Sequence, residues 1–425
     1  MYKIKKTSTG LNLVTIPMAG AKTTAILVMI ATGSKHETRN TSGLSHFLEH
    51  IFFKGTTKRP NTLTLTSELD RLGGVYNAFT SKEYTGFWIK TAAKQITPAL
   101  DVLSDMLLNS KFEEQEIEHE SKVIIEEVNM YLDNPMSHVE NIFEECLYGD
   151  TPAGWNTLGT KENIARFKRE DFVKYFKSQY KTKNTFVCLA GKLPNDPEKI
   201  LTKFFSGWAK GLEQKKLVTK EKQTKPSIKI NYKKTDQAHF SLGVRTFPAG
   251  DKNEVTLKVL ANLLGGPLSS RLFINLRERN GLCYYVNTSN ENYSDTGYLT
   301  TRAGVTVDKI TKAITLIIAE YKLLTKELIS EIELKKIKEF ISGRIALGLE
   351  SPDDIASWYG LQLVVNHQQP KKIRPQTPEE FSAAINKVTA KDIQILAKKI
   401  FNPKKLNLAI IGPYKDKKVF EKLLK

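Results

Sequence analysis

The stretch Ser42–Lys54, SGLSHFLEHIFFK, decides how the rest of this 425-residue chain is read. Its spacing predicts a helix with serines at its start, made largely buried by Phe47, Leu48, Ile51 and Phe52. On that helix His46 and His50 are four residues apart and project from one face, one turn above the other. Two imidazoles so placed can share one Zn²⁺ at about 2.0–2.1 Å each. Glu49, one residue before the second histidine, can reach a metal-bound water without being a ligand. The bland alternative is three polar side chains on a solvated face, but buried histidines need partners. His-x-x-Glu-His is the reverse spelling of the commoner HExxH and supports the same chemistry.

Two histidines do not complete a catalytic zinc site, which takes a third protein ligand and keeps a fourth position open. The helical stretch Glu113–Asp133 (EEQEIEHESKVIIEEVNMYLD) offers candidates. At 100° per residue Glu120 and Glu127 fall almost on one line, with Ile117, Val123, Ile124, Met130 and Tyr131 around it as an apolar stripe. Glu126 instead shares its side with Gln115, His119, Lys122 and Asp133. A carboxylate inside a buried stripe is costly unless a cation compensates it. The wheel therefore prefers Glu127 over Glu126 as the third ligand. Glu120, two turns away, becomes a group that supports a ligand or handles protons.

The chain length favours two domains or more. Hydrophobic content of 40% and charged content of 26% are ordinary for a globular protein and disfavour disorder and low-complexity architectures. Cys146, Cys188 and Cys283 are odd in number and far apart, which argues against a disulfide framework and for a reducing, cytoplasmic setting. The apolar run Thr24–Thr32 is too short to span a bilayer and reads as a strand, so neither signal peptide nor membrane association is expected. The net charge of +18 comes from lysines spread through the whole chain, with no nucleic-acid-binding motif beside them. A lysine-rich solvated surface is the simpler reading, and no nucleic-acid partner is expected.

Lys210–Ser227 is polar, lysine-rich and carries Pro226, so it is taken as a linker over residues 210–227. The flanking segments, 1–209 and 228–425, rhyme. Strand-like runs open each (11–16 and 24–32; 228–232 and 239–245), followed by helix-like runs (43–53; 254–264). Long helices then begin at Glu116-Ile117-Glu118 and Glu331-Ile332-Glu333, and β-rich tails end at Gly191 and Gly412. That order implies two related α+β units, each a mainly antiparallel sheet with helices packed on one face. The second segment has no histidine in Leu257–Gly265, so one metal site per chain is expected, in the first domain.

With these residues in hand, the chain resembles the pitrilysin/insulinase family of inverted-motif zinc peptidases over nearly its whole length, and in particular short bacterial members similar to the mitochondrial processing peptidase β subunit. That family has its third ligand some 75–80 residues beyond the second histidine; Glu127 stands 77 residues after His50 and seven after a companion acid, Glu120. Phe53-Lys54-Gly55-Thr56, Gly154, Leu158-Gly159-Thr160 and Ala190-Gly191 are family-like too. The hairpin Val75–Thr80 and Tyr84–Trp88 resembles the family's edge strand, which pairs with an extended peptide, with Asn77, Ala78 and Phe79 as contact points. Arg277 and Tyr284 match the family's Arg and Tyr that hold the peptide and polarise its scissile carbonyl.

The resemblance implies a zinc metalloendopeptidase with one Zn²⁺ on His46, His50 and Glu127. Glu49 would serve as general base, with Glu120, Arg277 and Tyr284 assisting. Peptides or unfolded presequence-like segments are the implied substrates, and a homodimer or a heterodimer with a related chain the implied assembly. The rival reading from another class is a non-catalytic core subunit sharing the fold.

Overall fold

A computed structural model describes residues 2–424. Its strands are β1 (Lys3–Lys6), β2 (Asn12–Pro17), β3 (Thr23–Ile30), β4 (Val75–Thr80), β5 (Thr85–Ala92), β6 (Thr185–Gly191), β7 (Ser227–Tyr232), β8 (Gln237–Thr246), β9 (Cys283–Asn292), β10 (Gly297–Thr306) and β11 (Asn407–Gly412). The α-helices are α1 (Leu44–Ile51), α2 (Thr62–Arg71), α3 (Ile96–Asn109), α4 (Glu114–Asp133), α5 (Pro135–Tyr148), α6 (Lys161–Arg166), α7 (Arg169–Gln179) and α8 (Pro197–Phe205). After the linker come α9 (Glu254–Gly265), α10 (Ile310–Lys326), α11 (Glu331–Leu347), α12 (Pro352–His367), α13 (Pro378–Lys387), α14 (Ala390–Ile400) and α15 (Lys418–Leu423).

One sheet has the order β1-β2-β6-β3-β5-β4, the other β7-β11-β8-β10-β9. In each, only one pair is parallel, β2 with β6 and β7 with β11, and every other pair is antiparallel. Apart from β1, the two sheets repeat one strand pattern, as the rhyme in the sequence implied.

The compact units do not coincide with the segments 1–209 and 228–425. One comprises residues up to Asn129, Asn156–Leu217 and Gly348–Pro375; the other comprises Met130–Trp155, Val218–Leu347 and the chain from Gln376 on. The cause lies in the strands. β3, β6 and β11 are buried at nearly every position, so both faces of each sheet must be covered. In the first unit Phe87, across from Val28 and Ala78, meets Phe52 at the end of α1 with ring centroids 5.3 Å apart. The alternate positions Ala25, Leu27 and Met29 are covered by Ala356, Tyr359, Leu363 and Val364 of α12, a helix from the second half of the sequence. In the second unit α5, from the first half, lays Val139, Ile142, Phe143 and Leu147 against Ala409 and Ile411 of β11. Helices from the same half supply one face of each sheet, and a helix exchanged from the other half supplies the second. Residues 210–226 form no helix or strand, and this stretch divides between Leu217 and Val218.

The turn joining β4 to β5 is held from below by the chain after β3. Ser34 N–H donates to the Ser81 carbonyl at 3.1 Å and Lys35 N–H to the Lys82 carbonyl at 2.7 Å. A Cβ on Gly33 would lie 2.1 Å from the Ser81 carbonyl oxygen, so only glycine allows this approach. Beneath the turn the Lys35 ammonium meets the Glu83 carboxylate at 2.8 Å, both fully buried, and Lys216 pairs with the same oxygen. Burial alone would raise the Glu83 pKa, but Lys35 and Lys216 outweigh it and hold the carboxyl below its ordinary value. A lowered carboxylate pKa contributes stability that is complete above the unfolded value of about 4.3 and lost as pH falls through the folded one. Glu83→Ala is expected to cost about 3–5 kcal/mol, because Lys35 keeps a buried charge without this carboxylate. Urea melts of parent and variant should also converge as pH drops below that value. Parallel stability curves between pH 7 and pH 3 would contradict this.

Candidate metal centre

α1 begins abruptly, and its start is built from two touching backbones. Gly43 precedes it with φ of +99° and Gly159 opposes it with φ of +80°. A Cβ on Gly159 would lie 2.5 Å from the Gly43 Cα, and one on Gly43 2.7 Å from the Leu158 carbonyl oxygen. Ser42 and Ser45 stand at its start as the sequence reading has it, but neither caps the helix. The Glu37 carboxylate takes that role, accepting from Gly43 N–H at 2.9 Å and Ser45 N–H at 2.7 Å. Burial pushes the Glu37 carboxyl up to about 7 despite those bonds. Ser45 instead bonds the Tyr175 hydroxyl of α7 at 2.6 Å. A short helix with no side-chain cap of its own is thus fixed by tertiary contacts, and with it the orientation of its two histidines.

His46, His50 and Glu127 converge. The two Nε2 atoms are 3.3 Å apart, and Glu127 Oε2 lies 3.7 Å from that of His46 and 3.6 Å from that of His50. Among the described residues this is the one cluster of three or more such donors able to hold a metal ion. Donors bound tetrahedrally at about 2.0–2.1 Å stand about 3.3–3.4 Å from one another, so the three need shift only by tenths of an ångström to bind zinc. Burial, reinforced by His50, lowers the His46 pKa to about 3 and keeps that imidazole neutral, as a ligand must be. Its Nδ1 is buried without a hydrogen-bond partner, so the polar company of this ring is the donor cluster itself. His50 differs: its Nδ1–H donates to Glu120 Oε1 at 2.9 Å, which fixes the tautomer and aims Nε2 at the cluster. The other Glu120 oxygen pairs with Lys54. Burial favours the neutral acid, but the bonds from His50 and Lys54 prevail and hold Glu120 below its ordinary value.

Glu49 interacts electrostatically with His50 and Glu127 without belonging to the donor set. Its Oε2 accepts from the Thr80 hydroxyl at 2.5 Å, and burial raises its pKa. Burial likewise raises that of Glu127. Three carboxylates, Glu49, Glu120 and Glu127, thus face one ammonium, Lys54, in this cluster. A divalent cation would bring that sum to zero. The residues present fit a zinc ion in charge, donor chemistry and spacing.

The face of α4 differs in part from the apolar stripe expected. Ile117, Ile124 and Val128 are buried, together with Glu120, whereas Val123, Met130 and Tyr131 are exposed at 53%, 60% and 37%. Glu127 sits at the margin of the buried line, its side chain 25% exposed. Glu126 is exposed and outside the cluster.

Asn77, Ala78 and Phe79 lie on β4, the edge strand of the first sheet. The Asn77 carboxamide oxygen accepts from the Ala78 N–H at 2.9 Å. Phe79 lies over Gly86 across the pair, where a Cβ would be 2.3 Å from its ring, and packs toward the α12 side of the sheet. Arg277 and Tyr284 belong to the second unit. Arg277 bonds the Tyr284 carbonyl at 3.1 Å and stacks its guanidinium on the Phe273 and Tyr284 rings; Tyr284 is 78% exposed. Thr80, Lys54 and Glu37 were given no role from sequence. Only the alternation that sets Tyr76, Ala78 and Thr80 on one face of β4 hinted at the first of them.

Residues 13–161 match the family model described as insulinase (peptidase family M16), and residues 166–341 match the peptidase M16 inactive domain. A Bacillus subtilis relative, named the uncharacterized zinc protease YmxG, is 34% identical over 97% of this chain and 98% of its own length. Among solved structures, a protease from Helicobacter pylori superposes with a TM-score of 0.89 at 24% identity, covering 97% of this chain and 99% of that one. A chain of complex III2 from Candida albicans does so with a TM-score of 0.81 at 16% identity, covering 99% of each. The inverted histidine pair therefore sits within the matched first domain, the region that resembles no such site lies within the matched inactive one, and the chain belongs to the insulinase family of peptidases, family M16.

Proposed function

We propose that this protein is a zinc-dependent endopeptidase acting on peptides or unfolded segments. The convergence of His46, His50 and Glu127 at tetrahedral spacing carries the proposal. His46, His50 and Glu127 would hold the zinc ion, which would supply Lewis acidity and a nucleophile at neutral pH. The residues of the chain do the rest. Glu49 takes the proton of the attacking water and delivers it to the leaving amine, and its raised pKa suits both transfers. The free edge of β4 gives an extended peptide backbone partners, which selects conformation over sequence. The Arg277 guanidinium and the exposed Tyr284 phenol are proposed to hold the peptide, and a pair of chains, homodimeric or with a related chain, is proposed as the working assembly.

Metal analysis and peptide cleavage test this together. One zinc per chain is expected, with cleavage of unstructured peptides abolished by a chelator and restored by zinc. Cleavage that survives full removal of metal would sink the proposal. A second reading is favoured by the fold shared with a chain of complex III2 at a TM-score of 0.81: a core subunit without activity. Stoichiometric zinc with no cleavage of any peptide in a broad library would select that reading.

A further inference from the structure

We infer that Thr80 is a positioning residue for the general base, so that the strand proposed to receive the peptide also sets the orientation of Glu49. The inference rests on the endopeptidase reading above and extends it to a residue that reading does not need.

Thr80 is the last residue of β4, paired with Thr85 across the hairpin. Its hydroxyl donates to Glu49 Oε2 at 2.5 Å, and a carboxylate can only accept. That bond leaves Oε1 of Glu49 as the oxygen free to take a proton. The donor cannot drift. Upstream it is held by the β4–β5 ladder; downstream, Ser81 N–H bonds the Tyr84 carbonyl at 2.8 Å, and the turn rests on Ser34 and Lys35. Across the ladder the Thr85 hydroxyl bonds the Thr32 carbonyl at 2.9 Å. The threonine oxygen is therefore a fixed point beside a glutamate that has three rotatable bonds. Holding that carboxylate in one rotamer limits the misplacement that costs rate so steeply.

The strand adds a second consequence. Asn77 and Ala78 stand three and two residues before Thr80 on the same short strand, and Ala78 and Thr80 share a face. A peptide paired to this edge and the base that serves it are then referred to one rigid element.

Thr80→Val keeps the shape and strand preference but removes the donor. With a quenched fluorescent peptide that the parent protein cleaves, kcat is expected to fall about 100-fold, with KM unchanged. Zinc affinity, measured by competitive titration of the metal-free protein, should match the parent's. Thr80→Ser should restore kcat. Parental kcat in Thr80→Val overturns the inference. So does a loss of kcat that tracks lost zinc affinity or melting temperature and that serine does not rescue, since that is packing alone. Parent protein and Glu49→Gln run alongside. If those two are equally inert, it is the endopeptidase reading that fails, and crystals of metal-free Thr80→Val decide the rest. The Glu49 carboxylate should spread over more than one rotamer; a single parental rotamer overturns the inference there too.

Discussion

Glu49→Gln is expected to bind zinc as the parent protein does and to lose kcat by about 10²–10⁴-fold, the range general acid–base catalysis supplies. Glutamine keeps the shape and can still accept from Thr80, so the local structure should survive the change. What it cannot do is take up a proton. Because Glu49 lies outside the donor set of His46, His50 and Glu127, metal stoichiometry and affinity should be those of the parent. Parental turnover in the variant would refute Glu49 as the base. Loss of zinc along with turnover would place Glu49 among the ligands instead.

The second large effect separates three glutamates on one helix. Glu127→Ala removes one of three donors, and zinc affinity is expected to fall by more than the roughly 10–100-fold typical of a supporting partner. Glu120→Gln should fall within that smaller range, since it weakens the hydrogen bond that orients His50 but leaves the donors in place. Glu126→Ala should change nothing, because its side chain is exposed and outside the cluster. Competitive zinc titration of the three variants gives the order. A larger loss for Glu126→Ala than for Glu127→Ala would reverse the assignment of the third ligand.

The site and the fold were legible to different depths. The histidine pair and Glu49 could be read because helical periodicity is local: four residues of spacing fix a shared face wherever the helix lies. Glu127 was legible because its distance from His50 matched the pattern that the chain resembles; the carboxylate that the buried line encloses is Glu120, with Glu127 at its margin. The two sheets were legible from apolar runs, and their common strand pattern from the rhyme between halves.

Other features depend on distances that no periodicity encodes. That Glu37 caps α1, that Lys54 and His50 share Glu120, and that Thr80 reaches Glu49 all follow from how separate elements approach each other. The exposure of Val123 and Met130 follows from the same limit: a wheel shows which residues share a face, not what covers that face.

The sequence by itself marked the candidate donors, two imidazoles on one helix face and a distant carboxylate, with Glu49 beside the second imidazole, since that follows from residue type, helical repeat and the resemblance. Tertiary structure alone decided which helices complete each sheet. Strands such as β3 and β6 are apolar on both faces, and a strand can state that it needs a second cover without stating where in the chain that cover comes from. It is drawn from the opposite half, as α12 and α5, because burial rewards whatever apolar face reaches the strand, regardless of its place in sequence.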